Sequence, residues 1–196
     1  MILSAPSGAG KTSLARALIE AVPDTVMSVS HTTRSRRNGE HDGVDYHFVD
    51  EATFHKMVED QRFLEFAPVY DHFYGTDREA VRELLEAGKN VVLDIDWQGA
   101  RQVCKLMPDA VSVSIMPPSQ EELERRLRDR GQDSGEVIAR RMKQAVSEIR
   151  HCAEAGHLVW NDDFDLALAD LVAIMQGDSP RPGPGPDELN ALLQEG

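Results

Sequence analysis

Residues 2–13 decide the fold and read Ile2-Leu3-Ser4-Ala5-Pro6-Ser7-Gly8-Ala9-Gly10-Lys11-Thr12-Ser13. The first residues are typical of a short buried strand, the small residues that follow favour a turn, and a helical pattern begins at Lys11. The stretch fits the phosphate-loop motif G-x-x-x-x-G-K-[ST], except that Ala5 occupies the position of the first glycine. A strand, this loop and a helix in that order indicate an α/β protein that binds a nucleotide.

The residue types in the loop suit a bound phosphate chain. Gly8 and Gly10 allow successive backbone N–H groups to face phosphate oxygens, and the helix that begins near Lys11 adds the positive end of its dipole. We expect Lys11 to reach the β- and γ-phosphates and the Thr12 hydroxyl to bind Mg²⁺. An ordinary glycine-rich turn between a strand and a helix is the alternative, but it does not require a Lys-Thr pair at this spacing.

A second element of the same site follows the apolar run Val91-Val92-Leu93, which ends in Asp94. Ligands of open α/β sheets collect at the carboxyl ends of the strands, where this carboxylate lies. We therefore expect Asp94 in the Mg²⁺ shell, acting through water. The alternative is a solvent-exposed acid at the end of a strand.

The rest of residues 1–176 alternates short β-rich runs with helical patterns, which is typical of an α/β fold with a mainly parallel sheet. The predicted strands are 1–4, 25–29, 46–49, 90–95, 110–116 and 158–161. The predicted helices are 11–21, 51–60, 77–87, one that opens at Ser119, 135–155 and 164–175. Cys104 and Cys152 both lie in helical patterns, so we expect two reduced thiols.

The composition changes at Gly177. Residues 177–186 hold four prolines and three glycines, which cannot build a core, so we expect an extended, disordered linker. Residues 187–195 could form one or two helical turns, and a frayed tail is favoured over a docked one. Deletion of residues 178–196 is therefore expected to leave activity intact.

Composition and charge exclude several classes of protein. The chain has 196 residues, 34 acidic and 21 basic, and a net charge of −13. This length suits one domain, and the acidic balance argues against a nucleic-acid coat or a basic membrane-binding patch. No apolar run approaches the roughly 20 residues of a membrane span, and no secretory signal begins the chain. We expect a cytoplasmic protein without nucleic-acid or membrane partners.

Residues 32–48 carry a longer motif, T-T-R-x-x-R-x-x-E-x-x-G-x-x-Y-x-F, which resembles the signature of the guanylate kinases. The resemblance extends from Met1 to about Met175 and includes Asp94-Ile95-Asp96-Trp97-Gln98-Gly99 and Asn161-Asp162-Asp163. It implies a phosphate-loop core of three layers with a parallel sheet, a GMP-binding subdomain with a small mixed or antiparallel sheet, and a helical lid. The implied core is 1–29, 81–117 and 151–176, the GMP-binding segment is about 30–80, and the lid is about 118–150.

The resemblance implies transfer of the γ-phosphoryl of ATP to GMP with Mg²⁺, in purine nucleotide metabolism. It implies that Ser30, Arg34, Arg37, Tyr46 and Tyr74 hold the GMP phosphate, and that Glu65, Thr76 and Asp96 recognise guanine. The chemistry agrees, because one carboxylate can accept the adjacent N1–H and N2–H₂ donors of guanine, which adenine lacks. The alternative for Glu65 is a solvated acid.

The resemblance also extends to the other nucleotide and to the lid. ATP is expected to bind along the loop and beside Arg126 and Asn161. The loop residues are Ala5, Pro6, Ser7, Gly8, Ala9, Gly10, Lys11, Thr12 and Ser13. The implied catalytic residues are Lys11, Arg34, Arg130 and Arg141, which would neutralise charge on the transferred phosphoryl group. The metal ligands are Thr12 and Asp94.

Two other functions are compatible with such a domain. One is a non-catalytic phosphopeptide-binding module of scaffold proteins, although such modules typically lose the phosphate-loop residues present here. The other is a related kinase that acts on a ribose bisphosphate, against which Tyr46, Glu65 and Thr76 together argue. Both a monomer and a homodimer are compatible with the sequence.

Overall fold

The computed structural model describes residues 1–129 and 135–194. In chain order the elements are β1 (Ile2–Ser4), α1 (Lys11–Ala21), β2 (Thr25–Met27), β3 (His31–Thr32), β4 (His47–Phe48), α2 (Glu51–Glu59), β5 (Phe63–Val69), β6 (His72–Asp77), α3 (Arg78–Glu86), β7 (Asn90–Asp94), α4 (Trp97–Leu106), β8 (Ser112–Met116), α5 (Gln120–Asp129), α6 (Gly135–Cys152), β9 (His157–Trp160), α7 (Phe164–Gln176) and α8 (Pro186–Leu193).

A parallel sheet of five strands in the order β2-β7-β1-β8-β9 forms the centre of the molecule. Leu14 of α1 and Leu171 of α7 pack against one face, and Val81 of α3 and Val103 of α4 pack against the other. All three residues of β1 are buried, because this strand is central and covered on both faces. The predicted three-layer α/β core is confirmed. It places the carboxyl ends of β1 and β7 side by side.

A second sheet of four strands in the order β4-β3-β6-β5 lies in the segment predicted to bind GMP. β5 and β6 form an antiparallel hairpin, β6 also pairs antiparallel with β3, and β3 pairs parallel with β4. The predicted small mixed sheet is therefore present. Phe54 and Met57 of α2 pack with Phe63 of β5 to form its core.

The sequence patterns located only one strand of this second sheet, at 46–49, where β4 occupies His47–Phe48. They missed β3, β5 and β6. β3 is two residues long, and β5 contains Pro68 and the acid Glu65, which obscure a strand pattern. These strands depend on pairing with one another, which no local pattern records.

The helices of the core agree better with their patterns, except that α4 is not among the predicted helices. α1 spans the predicted residues, and α7 extends the predicted helix by one residue. Cys104 lies in α4, Cys152 ends α6, and both are free thiols. Among the residues described, no helix has the length and apolar character needed to cross a membrane.

The C-terminal segment differs from the expected disordered linker and frayed tail. Leu192 of α8 is buried against Met116, Ile149 and Cys152, and the Gln120 amide donates to the Leu192 carbonyl at 2.8 Å. Upstream of α8, the Arg181 side chain pairs with the buried Asp170 at 2.8 Å. The prolines and glycines of residues 177–186 build no core of their own, but this segment connects α7 to α8. The leucine face of α8 then packs on an apolar site of the domain. β8 and α6 create that site only when the protein is folded.

Candidate active site

A cavity of about 240 Å³ lies where the central sheet, the second sheet and α6 meet. The lining residues come from the phosphate loop, the strand ends of the core, the acceptor segment and α6. They are Ala5, Pro6, Ser7, Gly8, Gly10, Lys11, Thr12, Ser30, Tyr46, Glu65, Ala67, Val69, Tyr70, Tyr74, Asp94, Ile95, Asp96 and Glu148. The fold thus brings most of the predicted phosphate-loop and acceptor residues to one enclosure.

The phosphate loop joins β1 to α1, and its turn depends on two glycines. Gly8 and Gly10 have φ values of 94° and 96°, a left-handed conformation that side chains disfavour. A Cβ on Gly10 would also collide with the side-chain amide of Asn161. That amide donates to the Ala9 carbonyl at 2.7 Å, so Asn161 supports the loop from beneath. Ala5 has no positive φ, so alanine in place of the first glycine creates no strain.

Lys11, Thr12 and Asp94 form one polar group at the mouth of the loop. The Lys11 ammonium lies 2.5 Å from Asp94 Oδ1 and donates to the Ile95 carbonyl at 2.8 Å. The Thr12 hydroxyl donates to Asp94 Oδ2 at 3.0 Å. Burial alone would lower the pKa of Lys11, but the Asp94 carboxylate outweighs it, and the pKa is raised above its ordinary value of 10.5. The lysine is therefore a fixed positive charge.

The same group suits a divalent metal ion. The Thr12 hydroxyl and the Asp94 carboxylate present hard oxygen donors, which Mg²⁺ prefers. Among residues 1–129 and 135–194, no three His, Cys, Asp or Glu side chains gather as a metal site of their own. A metal ion here would draw its remaining ligands from phosphate and water, as Mg²⁺ commonly does.

Glu65 lies at the bottom of the acceptor side of the cavity and is 3% exposed. It pairs across the β5–β6 hairpin with Thr76, whose hydroxyl donates to Glu65 Oε1 at 2.6 Å. Burial is the main cause that raises the pKa of Glu65 from 4.5 to about 7; Asp96 adds to the rise and Thr76 opposes it. Asp96 caps α4 by accepting from the Gly99 N–H at 2.9 Å. Two carboxyl groups thus face one small space, and one of them is poised to take up or lose a proton.

The arginines and tyrosines predicted around the acceptor phosphate divide into two groups. Tyr46 and Tyr74 line the cavity with their rings 5.9 Å apart, and the Arg34 guanidinium lies 5.3 Å from the centre of the Tyr46 ring. Arg34 is held by both oxygens of Glu40 at 2.8 and 3.0 Å. Arg37 is exposed, and its backbone N–H donates to Glu40 at 2.7 Å. Neither arginine lines the cavity wall, so Glu40 organises this pair outside it.

Two described arginines of the predicted lid lie near the loop on different helices, and one of them contacts it. Arg126 of α5 donates to the Asn161 carbonyl at 2.9 Å, and Arg141 of α6 donates to the Ser7 hydroxyl at 2.8 and 3.2 Å. Arg130 lies outside the described residues. The other predicted residues away from the cavity wall are Ala9, Ser13, Thr76 and Asn161, of which Ser13 is exposed and the rest are buried.

Sequence reasoning missed Glu148, which lines the cavity from α6. Its carboxylate accepts from the Ser7 N–H at 3.0 Å, and burial is the main cause that raises its pKa above 4.5. The available signal was its spacing of seven residues, or two helical turns, from Arg141. Sequence reasoning also missed Tyr70, which lines the cavity from the hairpin tip with a φ of 56°.

Comparisons with known proteins agree on one family. The family model described as guanylate kinase matches residues 1–178. The guanylate kinase of Methylococcus capsulatus is 58% identical over 175 residues, covering 89% of this chain and 86% of that protein. The guanylate kinase of Yersinia pestis bv. Antiqua is 52% identical over 196 residues, covering 99% of this chain and 95% of that protein. The crystal structure of guanylate kinase from Anaplasma phagocytophilum superposes with a TM-score of 0.75 at 36% identity, covering 90% of this chain and 83% of that one.

Proposed function

The chain belongs to the guanylate kinase family, and from that premise we propose how its residues transfer the γ-phosphoryl of ATP to GMP. One observation carries the proposal. The phosphate loop and the buried Glu65, whose carboxylate accepts from Thr76, line the same cavity of about 240 Å³. A phosphate donor and a purine acceptor could therefore lie against each other without bulk water between them.

ATP binds along residues 5–13 in this proposal. Loop N–H groups donate to oxygens of the phosphate chain at the positive end of α1, and Asn161 supports the loop through the Ala9 carbonyl. Lys11 turns from Asp94 toward the outer phosphates, where its fixed charge offsets the negative charge of the reacting group. Arg126 borders the same nucleotide through its contact with the Asn161 carbonyl.

Thr12 and Asp94 would hold Mg²⁺ at the edge of the loop, Asp94 through water. The ion, when bound, would supply positive charge that offsets the negative charge developing during transfer. The Thr12 hydroxyl and the Asp94 carboxylate lie 3.0 Å apart, so both offer oxygen atoms at the same edge of the loop.

GMP binds on the other side of the cavity. Glu65 accepts the N1–H and N2–H₂ donors of guanine in its charged form, and Thr76 and Asp96 complete the set of polar groups around the base. Ser30, Tyr46 and Tyr74 hold the GMP phosphate together with Arg34 and Arg37. Arg34 needs only exchange part of its contact with Glu40 for a phosphate oxygen, and Arg37 contacts Glu40 through its backbone N–H.

Transfer itself requires positioning and charge neutralisation, with no covalent intermediate. An oxygen of the GMP phosphate attacks the γ-phosphorus in line, the bond to the β–γ bridging oxygen breaks, and GDP and ADP result. Arg34, Arg130 and Arg141 stabilise charge on the transferred group together with Lys11. Arg141 supports this role because its guanidinium already contacts Ser7 of the phosphate loop. A lid that closes over the site would keep water from competing as the acceptor.

Two alternatives are not favoured. A phosphopeptide-binding module has no need for the connected Lys11–Thr12–Asp94 group, and a ribose bisphosphate has no donors for a buried Glu65. The proposed subdomain limits and a cytoplasmic location are predictions that accompany the function.

A coupled assay of ADP release with GMP, AMP, dTMP and UMP tests the proposal. We expect GMP to be phosphorylated far faster than the other three. If AMP or UMP reacts faster than GMP, the roles of Glu65 and Asp96 in reading guanine are wrong. If none of the four is phosphorylated while ATP still binds, the phosphate-loop assignment survives and the acceptor is a different molecule.

A further inference from the structure

Two side chains of helix α6, which carry opposite charges, form hydrogen bonds with Ser7 of the phosphate loop. Arg141 donates to the Ser7 hydroxyl at 2.8 Å, and Glu148 accepts from the Ser7 backbone N–H at 3.0 Å. These two residues are seven positions apart, so they lie on the same face of the helix. The helix that carries part of the predicted lid thus contacts the loop at Ser7.

The negative charge of Glu148 is destabilised by its surroundings. It lines the cavity beside Asp96, and both its own burial and the Asp96 carboxylate favour the neutral form and raise its pKa. The Ser7 N–H and the charges of Lys11 and Arg141 act in the opposite direction. A carboxylate in such surroundings is stabilised chiefly by the groups that would also stabilise a phosphate.

Two hydrogen-bond donors of the loop are therefore already paired with carboxylates of the protein itself. Lys11 is paired with Asp94, and the Ser7 N–H is paired with Glu148. Backbone N–H groups of phosphate loops bind oxyanions, and a carboxylate oxygen is an acceptor of the same kind as a phosphate oxygen. One N–H cannot serve both at full strength, and the two negative groups repel each other.

We propose that Glu148 holds the Ser7 N–H as a substitute for a phosphate oxygen and that ATP displaces it, which breaks one of the two contacts of α6 with Ser7 and leaves the Arg141 contact in place. This inference rests on the proposed binding of ATP along residues 5–13. Glu148 acts on the nucleotide through Ser7 and its own charge, and it does not touch the reacting atoms. Its carboxylate couples occupancy of the phosphate loop to the position of α6.

ATP affinity of charge variants tests the proposal. The dissociation constant is measured by isothermal titration with Mg²⁺ and without GMP for the wild type, Glu148→Gln and Glu148→Ala. The matched control is Glu83→Gln, which removes the same charge from an exposed position on α3. Because a charged hydrogen bond is worth more than a neutral one, we expect ATP to bind roughly 5- to 10-fold tighter to both Glu148 variants. Glu83→Gln should bind as the wild type does.

The NMR resonance of the Ser7 amide gives a second measurement. Its dependence on ATP would differ between the wild type and Glu148→Gln only if Glu148 leaves Ser7 when ATP binds. Without ATP, the Glu148→Gln variant should differ from the wild type in the NMR shift of the Ser7 N–H. At saturating ATP the two should converge, because the carboxylate has left. Glu148→Gln keeps the shape of the side chain, so it carries the comparison even if Glu148→Ala does not fold.

Three results would overturn the proposal. ATP could bind equally to the wild type and both variants, or the Ser7 difference could persist at saturating ATP. Alternatively, Glu148→Ala could bind ATP more weakly while Glu148→Gln binds normally, which would make Glu148 a neutral support of the loop. A wild-type chain that does not bind ATP would contradict the proposed function itself, and the wild-type titration distinguishes that case.

Discussion

The phosphate loop and the acceptor pocket share a cavity but are built in different ways. The loop is made by consecutive residues between β1 and α1, and its donors are backbone N–H groups and Lys11. The acceptor pocket is made by pairs of residues that are distant in the chain, such as Glu65 with Thr76 and Ser30 with Thr76. The proposed phosphate site is therefore a local property of this chain, whereas the proposed base site depends on the pairing of its second sheet.

Lys11→Ala should have the largest effect on turnover, because it removes the lysine of the phosphate loop. Removal of the partly buried positive charge proposed to face the transferred group should lower kcat by roughly 10³-fold. ADP release in the presence of GMP measures the loss, and circular dichroism checks the fold. Lys56→Ala removes a lysine from an exposed position on α2 and should keep wild-type turnover. Wild-type turnover in Lys11→Ala would contradict the role of the loop.

Glu65→Gln should weaken the use of GMP and leave ATP binding at the phosphate loop unchanged. The amide places donors against the donors of guanine, so kcat/KM for GMP should fall by about 10²-fold, while the KM for ATP should hold within about twofold. Steady-state kinetics with each substrate varied in turn separates the two. An equal loss toward ATP and GMP would show that the two sides are not independent.

The pH dependence of GMP binding sharpens the same contrast. The pKa of Glu65 is raised to about 7, mainly by burial, and Lys11 and Asp96 act on it in opposite directions. The charged carboxylate is the form that accepts both guanine donors, so below pH 7 protonation should raise the KM for GMP by up to about tenfold per pH unit. The KM is measured from pH 5.5 to 8.5. If the profile of Glu65→Gln is as steep as that of the wild type, another group is responsible.

Leu192→Ala should have the smallest effect on catalysis, because α8 touches neither side of the cavity. Leu192 is 3% exposed in an apolar cluster. The free energy of unfolding of the variant should therefore fall by roughly 2–3 kcal/mol, and its melting temperature by several degrees. Turnover at 25 °C should stay within about twofold. Leu85→Ala, at a residue that is 42% exposed, is the control and should change the melting temperature little. A turnover that falls with Leu192→Ala would show that the tail positions α6 for catalysis.

Several parts of the molecule could be predicted from the sequence because their causes are local. The spacing of Gly8, Gly10 and Lys11 indicates a phosphate loop without any other information, and Asp94 ends the apolar run whose strand lies beside it. Helix α1 follows directly from its leucines. For the acceptor residues, only the resemblance of residues 32–48 to a known family pointed to guanine, since Glu65 by itself could have been a solvated acid.

By itself, the sequence determined the α/β alternation, the phosphate loop and the family, because backbone turns, helix starts and strand patterns depend on neighbouring residues. Tertiary structure alone decided the hairpin that buries Glu65, the docking of Leu192 and the contact of Glu148 with Ser7. Ser7 and Glu148 are 141 positions apart, and no local pattern records which distant side chain will share an N–H. Such contacts exist only after the hydrophobic core has brought their elements together, so their energies are set by packing and burial rather than by residue type.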